Sequence, residues 1–350
     1  MVNDLPNIYY VTYRFGHHNV ISSYPVLPEY VRSTNITTPP FLSHFFEHYG
    51  NGAFRQRLVR ASGLTGYFSE ALWLESLAMM IAKLPQRSVI HYIHPENSYF
   101  FLSRVKRSPK CKVVASYHQP VQESRQFILK TDAIRQLDAV VILSESQREF
   151  FEPIVGPDKL FLVPHGVNVK FFTPAPEVKK ERRIISVGGW LRDFETLAVT
   201  MKLLQEKNSG IICDVVTGKH NWGAFAGLKN VEFHAGISNE ELRNLYRRAS
   251  ISVMCLNNAV ANQGMLESMS CGLPLIATDI TSVREYSVPE GCRYVDRANP
   301  DQLAEAVISL MDDTTALDLM GKTNAVFSQK FGWEEIAKQM EHMYSVISGR

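Results

Sequence analysis

Short apolar runs alternate with helical stretches along most of this chain. Ile8 to Tyr13, Val89 to Ile93, Cys111 to Tyr117, Ala139 to Leu143 and Leu160 to Val163 are continuous runs of strand length. The stretches between them are of a length to form covering helices. Such alternation predicts a buried parallel sheet with helices on its faces. The pattern pauses at 164–183, PHGVNVKFFTPAPEVKKERR, where three prolines and a cluster of charges predict a linker. It then restarts with runs at Ile184 to Val187, Ile211 to Val216, Val231 to His234, Ile251 to Leu256 and Leu275 to Thr278. Ser238 with Glu241, and Asn299 with Pro300 and Gln302, have the spacing of helix starts. The last stretch carries apolar residues at Trp333, Ile336, Ala337, Met340, Tyr344 and Ile347, a helical stripe that must pack on something.

The pattern therefore predicts an α/β protein of two doubly wound, Rossmann-like domains. The expected boundaries are 1–164 for the first domain, 165–182 for the linker and 183–331 for the second, with a helix in 332–350 packing back on the first. Open α/β sheets bind ligands at the carboxyl ends of their strands, so a cleft between two such sheets is the expected site of function.

A length of 350 residues fits two domains, and 45% hydrophobic against 21% charged residues excludes a disordered chain. The net charge of +2 hides an asymmetry: residues 1–175 hold 18 basic and 13 acidic side chains, and the remainder 19 and 22. A first half near +5 suits an anionic acceptor or a membrane surface, and a solvated basic surface explains it equally well. Nothing in the chain suggests a nucleic-acid partner. The five cysteines are widely spaced without a CxxC pair, which argues against a disulfide framework or a zinc site and for a reducing, cytoplasmic setting. No apolar run reaches bilayer length, so any membrane contact is expected to be peripheral.

The richest chemistry lies in GMLESMSCGLPLIATD, Gly264 to Asp279. Asn262, Gln263 and Gly264 precede a helical run, where unpaired amides and the helix dipole favour a diphosphate. Glu267 stands where a carboxylate can accept hydrogen bonds from a ribose diol, and Gly272 with Pro274 ends the helix. An ordinary helix-to-strand connection accounts for the same residues.

Taken with VPHGVNVKFFTP, SVGGWLRDFETL and VEFHAGISNEELRNLYRRASISVM, this stretch resembles the C-terminal half of glycosyltransferase family 4, the retaining enzymes of GT-B fold. YRFGHHN and SYHQP resemble segments of that family's N-terminal half. The resemblance implies transfer of a sugar from a nucleoside-diphosphate sugar to a hydroxyl acceptor, in polysaccharide, glycolipid or glycoconjugate synthesis. It implies no cofactor beyond that co-substrate and no metal. Glu267 would bind the donor ribose, while Asn262, Gln263, Gly264 and Met265 would meet the phosphates and sugar. Gly188 and Gly189 would let the chain pass the diphosphate, and His118 would approach the donor sugar as the catalytic histidine. Gly16 and His17 would lie on the acceptor side.

Two positions depart from the family. The acid usual eight residues before the ribose-binding one is Ala259, and the customary arginine and lysine after the first strand glycine are Gly189 and Phe194. Arg192 is the expected substitute cation. Ala259 also leaves open a protein that binds nucleotide sugar with little or no turnover.

Other motifs compete with these. His44, Glu47 and His48 match an HxxEH zinc-peptidase pattern, ALDLMGKT (316–323) is one residue from a phosphate-binding loop, and His91, His94 and Glu96 lie near a strand end. Asp193 and Glu195 have acid-x-acid spacing, which at a helix start reads as dipole complementation.

Overall fold

A computed structural model describes residues 5–12, 21–50 and 52–349. The chain forms two compact units: residues 1–165 together with 333–350, and residues 166–332.

The sheet of the first unit contains β1 (Asn7–Val11), β2 (Ser33–Ile36), β3 (Ser88–Tyr92), β4 (Cys111–Tyr117), β5 (Ala139–Ile142) and β6 (Leu160–Leu162), in the order β2-β1-β3-β4-β5-β6. All neighbours pair in parallel. Every residue of β3 and β5 is buried, as the core of a parallel sheet covered on both faces requires. β2 was absent from the predicted strands because its sequence, STNI, is polar; at the sheet edge it buries only Ile36.

The second unit contains β7 (Arg183–Val187), β8 (Ile212–Val216), β9 (Val231–His234), β10 (Ile251–Met254), β11 (Leu275–Thr278) and β12 (Cys292–Val295). Its parallel order is β12-β11-β10-β7-β8-β9. The chain builds outward from β7 in one direction through β8 and β9, then returns to build outward in the other from β10. The strand order thus reverses between β7 and β10, the position where doubly wound sheets open a crevice at the strands' carboxyl ends. β12 was also not anticipated, because CRYV interrupts its apolar residues with Arg293.

Of residues 165–182, expected as a linker, 166–182 lie within the second unit. Val167 and Phe172 are fully buried there, and Ser270 Oγ donates to the Phe172 carbonyl at 2.6 Å. Burial of these apolar side chains outweighs the local proline signal. The chain crosses between the units at 165–166 and again at 332–333.

The Trp333–Ile347 helix belongs to the first unit. Trp333 is completely buried against Tyr24 and His165. The Tyr344 hydroxyl lies 2.8 Å from that of Tyr10 and 2.6 Å from His91 Nδ1, whose Nε2 reaches Ser116 Oγ at 2.8 Å. This buried chain satisfies polar groups that would otherwise cost stability, and it ties the helix to β1, β3 and β4.

Candidate functional site

At the carboxyl end of β7 the chain passes through Gly188 at φ 104°, a left-handed conformation that glycine adopts without strain. A Cβ at Gly188 would also lie 2.6 Å from Arg192 Nη2. At Gly189 a Cβ would be 3.3 Å from Asn221 Nδ2 and Thr217 Oγ1, so this residue sits close against the loop after β8. Leu191 adopts φ 55°, an uncommon conformation for a bulky side chain. Neighbouring bonds hold it there: Asn257 N donates to the Leu191 carbonyl at 2.9 Å, and Asp193 N to the Cys255 carbonyl at 3.0 Å.

Arg192 lies at the centre of this arrangement. Its Nε and Nη2 donate to the Val187 carbonyl at 3.0 and 2.6 Å, and Nη2 also donates to Asn262 Oδ1 at 3.0 Å. Burial pushes the guanidinium down to about 10, so it stays charged at neutral pH. Arg192 therefore clamps the end of β7 to the residue that begins the next important helix. The bonded partners were not legible in the sequence, which suggested only a cation at this place.

That helix is Gln263–Ser270, entirely buried from Gly264 onward. Asn262 caps it, its Oδ1 accepting from Met265 N at 3.1 Å while its own carbonyl accepts from Met265 N and Leu266 N. The amides of Gln263 and Gly264 make no hydrogen bond to a described residue, which leaves two donors and the positive end of the helix directed outward from its first turn. Met265 is buried with its amide already bonded. Gly264 packs against β7, where a Cβ would come within 3.3 Å of Val187 Cβ and its carbonyl oxygen.

Glu267 follows one turn later and is 2% exposed. Its Oε1 accepts from Gln263 Nε2 at 2.7 Å, and its Oε2 from the Tyr246 hydroxyl at 3.1 Å. Burial pushes the carboxyl up to about 7, and these two donors offset part of that shift. Arg192 thus bonds Asn262 and lies against Gly188, while Glu267 bonds Gln263 and shares the Tyr246 hydroxyl with the Gly264 carbonyl. Tyr246 joins them, though in LRNLYRRAS it reads as one more apolar position of an amphipathic helix. Ala259 contributes no side-chain chemistry, and its amide is held by Asn258 Oδ1 at 2.9 Å.

Within the first unit, strand order reverses between β1 and β3, and β3 and β4 deliver Ile93, His94 and His118 at their ends. His118 Nε2 faces the Ile93 carbonyl at 2.7 Å and so carries a proton; its backbone amide donates to Glu96 Oε1 at 3.0 Å. The His118 ring packs on Tyr24 and His94 at centroid separations of 4.6 and 5.0 Å. Burial pushes Glu96 up to about 7, opposed by hydrogen bonds from backbone amides including those of His118 and Gln119. Gly16 and His17 lie outside the described residues. His91, a candidate for an open strand end, is instead interior, and burial pushes its imidazole down to about 3.

The competing motifs take ordinary structural places. His44 and His48 stack at 6.3 Å on the Pro40–Tyr49 helix, and ALDLMGKT lies inside the continuous Thr314–Phe327 helix. Asp193 caps the Phe194–Glu206 helix by accepting from Thr196 N at 2.9 Å. Among the described residues, the group with metal-ligand spacing is Asp214, Glu232 and His234. Arg183 contacts Asp214 at 3.1 Å and Glu232 at 2.7 Å, and Arg248 lies 3.4 Å from Asp214. Two guanidiniums already neutralise the carboxylates, an arrangement that disfavours a cation. Among the described residues, no helix is long and apolar enough to cross a membrane.

Residues 181–313 match the family model described as glycosyl transferases group 1. A D-inositol 3-phosphate glycosyltransferase from Thermobispora bispora is 24% identical over 54% of this chain and 51% of its own length. An MMP alpha-(1->4)-mannosyltransferase from Mycolicibacterium hassiacum is 28% identical over 56% of this chain and 50% of its own. The chain thus spans about half the length of these curated relatives. Among solved structures, HepE from Anabaena in complex with UDP-glucose aligns with a TM-score of 0.68 at 12% identity, covering 97% of this chain and 100% of that one. The match extends over both units and shows the GT-B fold, in keeping with the two parallel six-stranded sheets.

Proposed function

We propose that this chain, whose residues 181–313 match the model of the glycosyl transferases group 1 family, is a retaining glycosyltransferase. It moves a sugar from a nucleoside-diphosphate sugar to a hydroxyl acceptor. One observation carries this reading: two unpartnered amides at a helix start and a buried carboxylate one turn later share the strand-order reversal of the second unit. That combination suits a diphosphate followed by a ribose.

In the proposed reaction the bond from the anomeric carbon to the β-phosphate oxygen breaks as the acceptor oxygen bonds to that carbon from the same face. The acceptor proton passes to the departing phosphate. Gln263 N, Gly264 N and the charge of Arg192 stabilise the leaving diphosphate, so metal-independent departure is part of the proposal. Glu267 accepts from the ribose hydroxyls, and Gly188 and Gly189 keep the passage beside the phosphates free of side chains. His118 is proposed as the catalytic histidine that contacts the donor sugar, on the strength of the family resemblance. Two curated relatives, named for D-inositol 3-phosphate and for a monoacylated phosphatidylinositol monomannoside, support a polyol phosphate or glycolipid precursor as acceptor.

Ala259 supports a second reading, in which the protein binds nucleotide sugar without turnover. UDP- and GDP-sugars incubated with an acceptor panel separate the two. The transferase reading expects acceptor-dependent release of nucleoside diphosphate and an α-linked product from an α-linked donor. Saturable donor binding with no release on any acceptor favours the second.

A further inference from the structure

Tyr246 comes from the Asn239–Arg248 helix, whose start is fixed by reciprocal bonds between Ser238 and Glu241. Its ring is completely buried and packs edge-on against Phe172. Its hydroxyl lies 3.1 Å from Glu267 Oε2 and 3.3 Å from the Gly264 carbonyl. The phenol has one proton, and an ionised Glu267 is its stronger acceptor. Burial, with the neighbouring carboxylate, drives the phenol far above its usual range, so it remains a donor.

We infer that Tyr246 is a positioning residue for Glu267, holding one carboxylate oxygen while Gln263 holds the other, and so makes the site selective for ribonucleotides. The inference rests on the nucleotide reading of the second unit. Two fixed donors on opposite oxygens set the plane of the carboxylate. A ribose diol, which must donate to that carboxylate, then meets it in one orientation. Loss of the phenol hydroxyl leaves the charge with one fewer donor in a buried place. Glu267 becomes harder to ionise and freer to rotate.

The test is calorimetric titration of the full-length protein, wild type, Tyr246→Phe and Glu267→Gln, with UDP, GDP and their 2′,3′-dideoxy analogues from pH 6 to 9. Tyr246→Phe keeps the buried ring, and thermal denaturation with near-UV circular dichroism checks the fold. The expected result is a loss of about five- to tenfold in ribonucleotide affinity, the upper part of the range of a typical net hydrogen bond. Dideoxy affinity stays unchanged, and the midpoint of the pH dependence moves upward. Equal loss on ribo- and dideoxynucleotides, or no loss, overturns the inference. If Glu267→Gln is itself indifferent to the ribose hydroxyls, or no nucleotide binds the wild type, the nucleotide reading falls and the inference with it.

Discussion

Replacing Arg192 by alanine is expected to weaken nucleoside-diphosphate binding by tenfold or more and to destabilise the second unit by about 2–4 kcal/mol. Both effects follow from one side chain with two tasks. The guanidinium donates twice to the Val187 carbonyl and once to Asn262 Oδ1, so truncation strips these donors from the junction of β7 and the Gln263–Ser270 helix and leaves Asn262 Oδ1 only the Met265 amide. It also removes the charge placed beside the Gln263 and Gly264 amides. Arg192→Lys separates the tasks: lysine restores a charge but cannot reproduce the fork geometry, so it recovers part of the binding and little of the stability. Denaturant titration and calorimetry on the same preparations check this. A variant that loses stability alone would confine Arg192 to the clamp.

Glu267→Gln is expected to raise stability above neutral pH while weakening ribonucleotide binding. The buried carboxyl titrates at about 7 in the folded chain, above its ordinary value of 4.5. The unfolded chain therefore ionises first as pH rises. The favourable contribution of the protonated group is complete below about 4.5 and is lost as pH climbs through 7. A neutral, isosteric glutamine avoids that loss, for a relative gain on the order of 3 kcal/mol at pH 8. A carboxylate kept buried at such a cost is consistent with a functional role. Wild-type binding should strengthen as pH rises through 7, because the carboxylate is the acceptor for the ribose. The nucleotide phosphate also titrates in this range, so the difference between wild type and Glu267→Gln isolates the protein's contribution. Unfolding curves at pH 5 and 8 test the sign: a glutamine variant no more stable than wild type at pH 8 would remove the energetic part of the account.

How much of this was legible beforehand depended on whether a residue's environment is local. The apolar runs that became β4 and β11 marked those strands by themselves, since interior parallel strands need little but continuous burial. β2 and β12 escaped because edge position lets polar residues into a strand, and pairing partners distant in sequence determine them. The capping box at Ser238 could be read from spacing, and the helix start after Asn262 from the run that follows it, though not the cap that Asn262 provides. At Asn299 the cap also forms, accepting from Gln302 N, yet the Gln302 side chain bonds Asp296 N rather than completing a box. In the candidate site, Glu267 and the glycines stood out by motif, whereas the grip of Tyr246 on Glu267 spans 21 residues and that of Glu96 on His118 spans 22. A tyrosine on an apolar stripe and a glutamate after a strand carry no local mark of such partners. Arg192 lay between these cases: its place was evident and its bonds were not.

The most direct measurement of the central claim is titration calorimetry of the wild-type protein and Glu267→Gln with UDP, GDP and their sugars at pH 8. The account predicts saturable, one-to-one binding of at least one nucleoside diphosphate to the wild type, weakened about tenfold or more in the variant as a charge-assisted contact is lost. Absence of binding across the panel, or equal affinity in the two proteins, would contradict it.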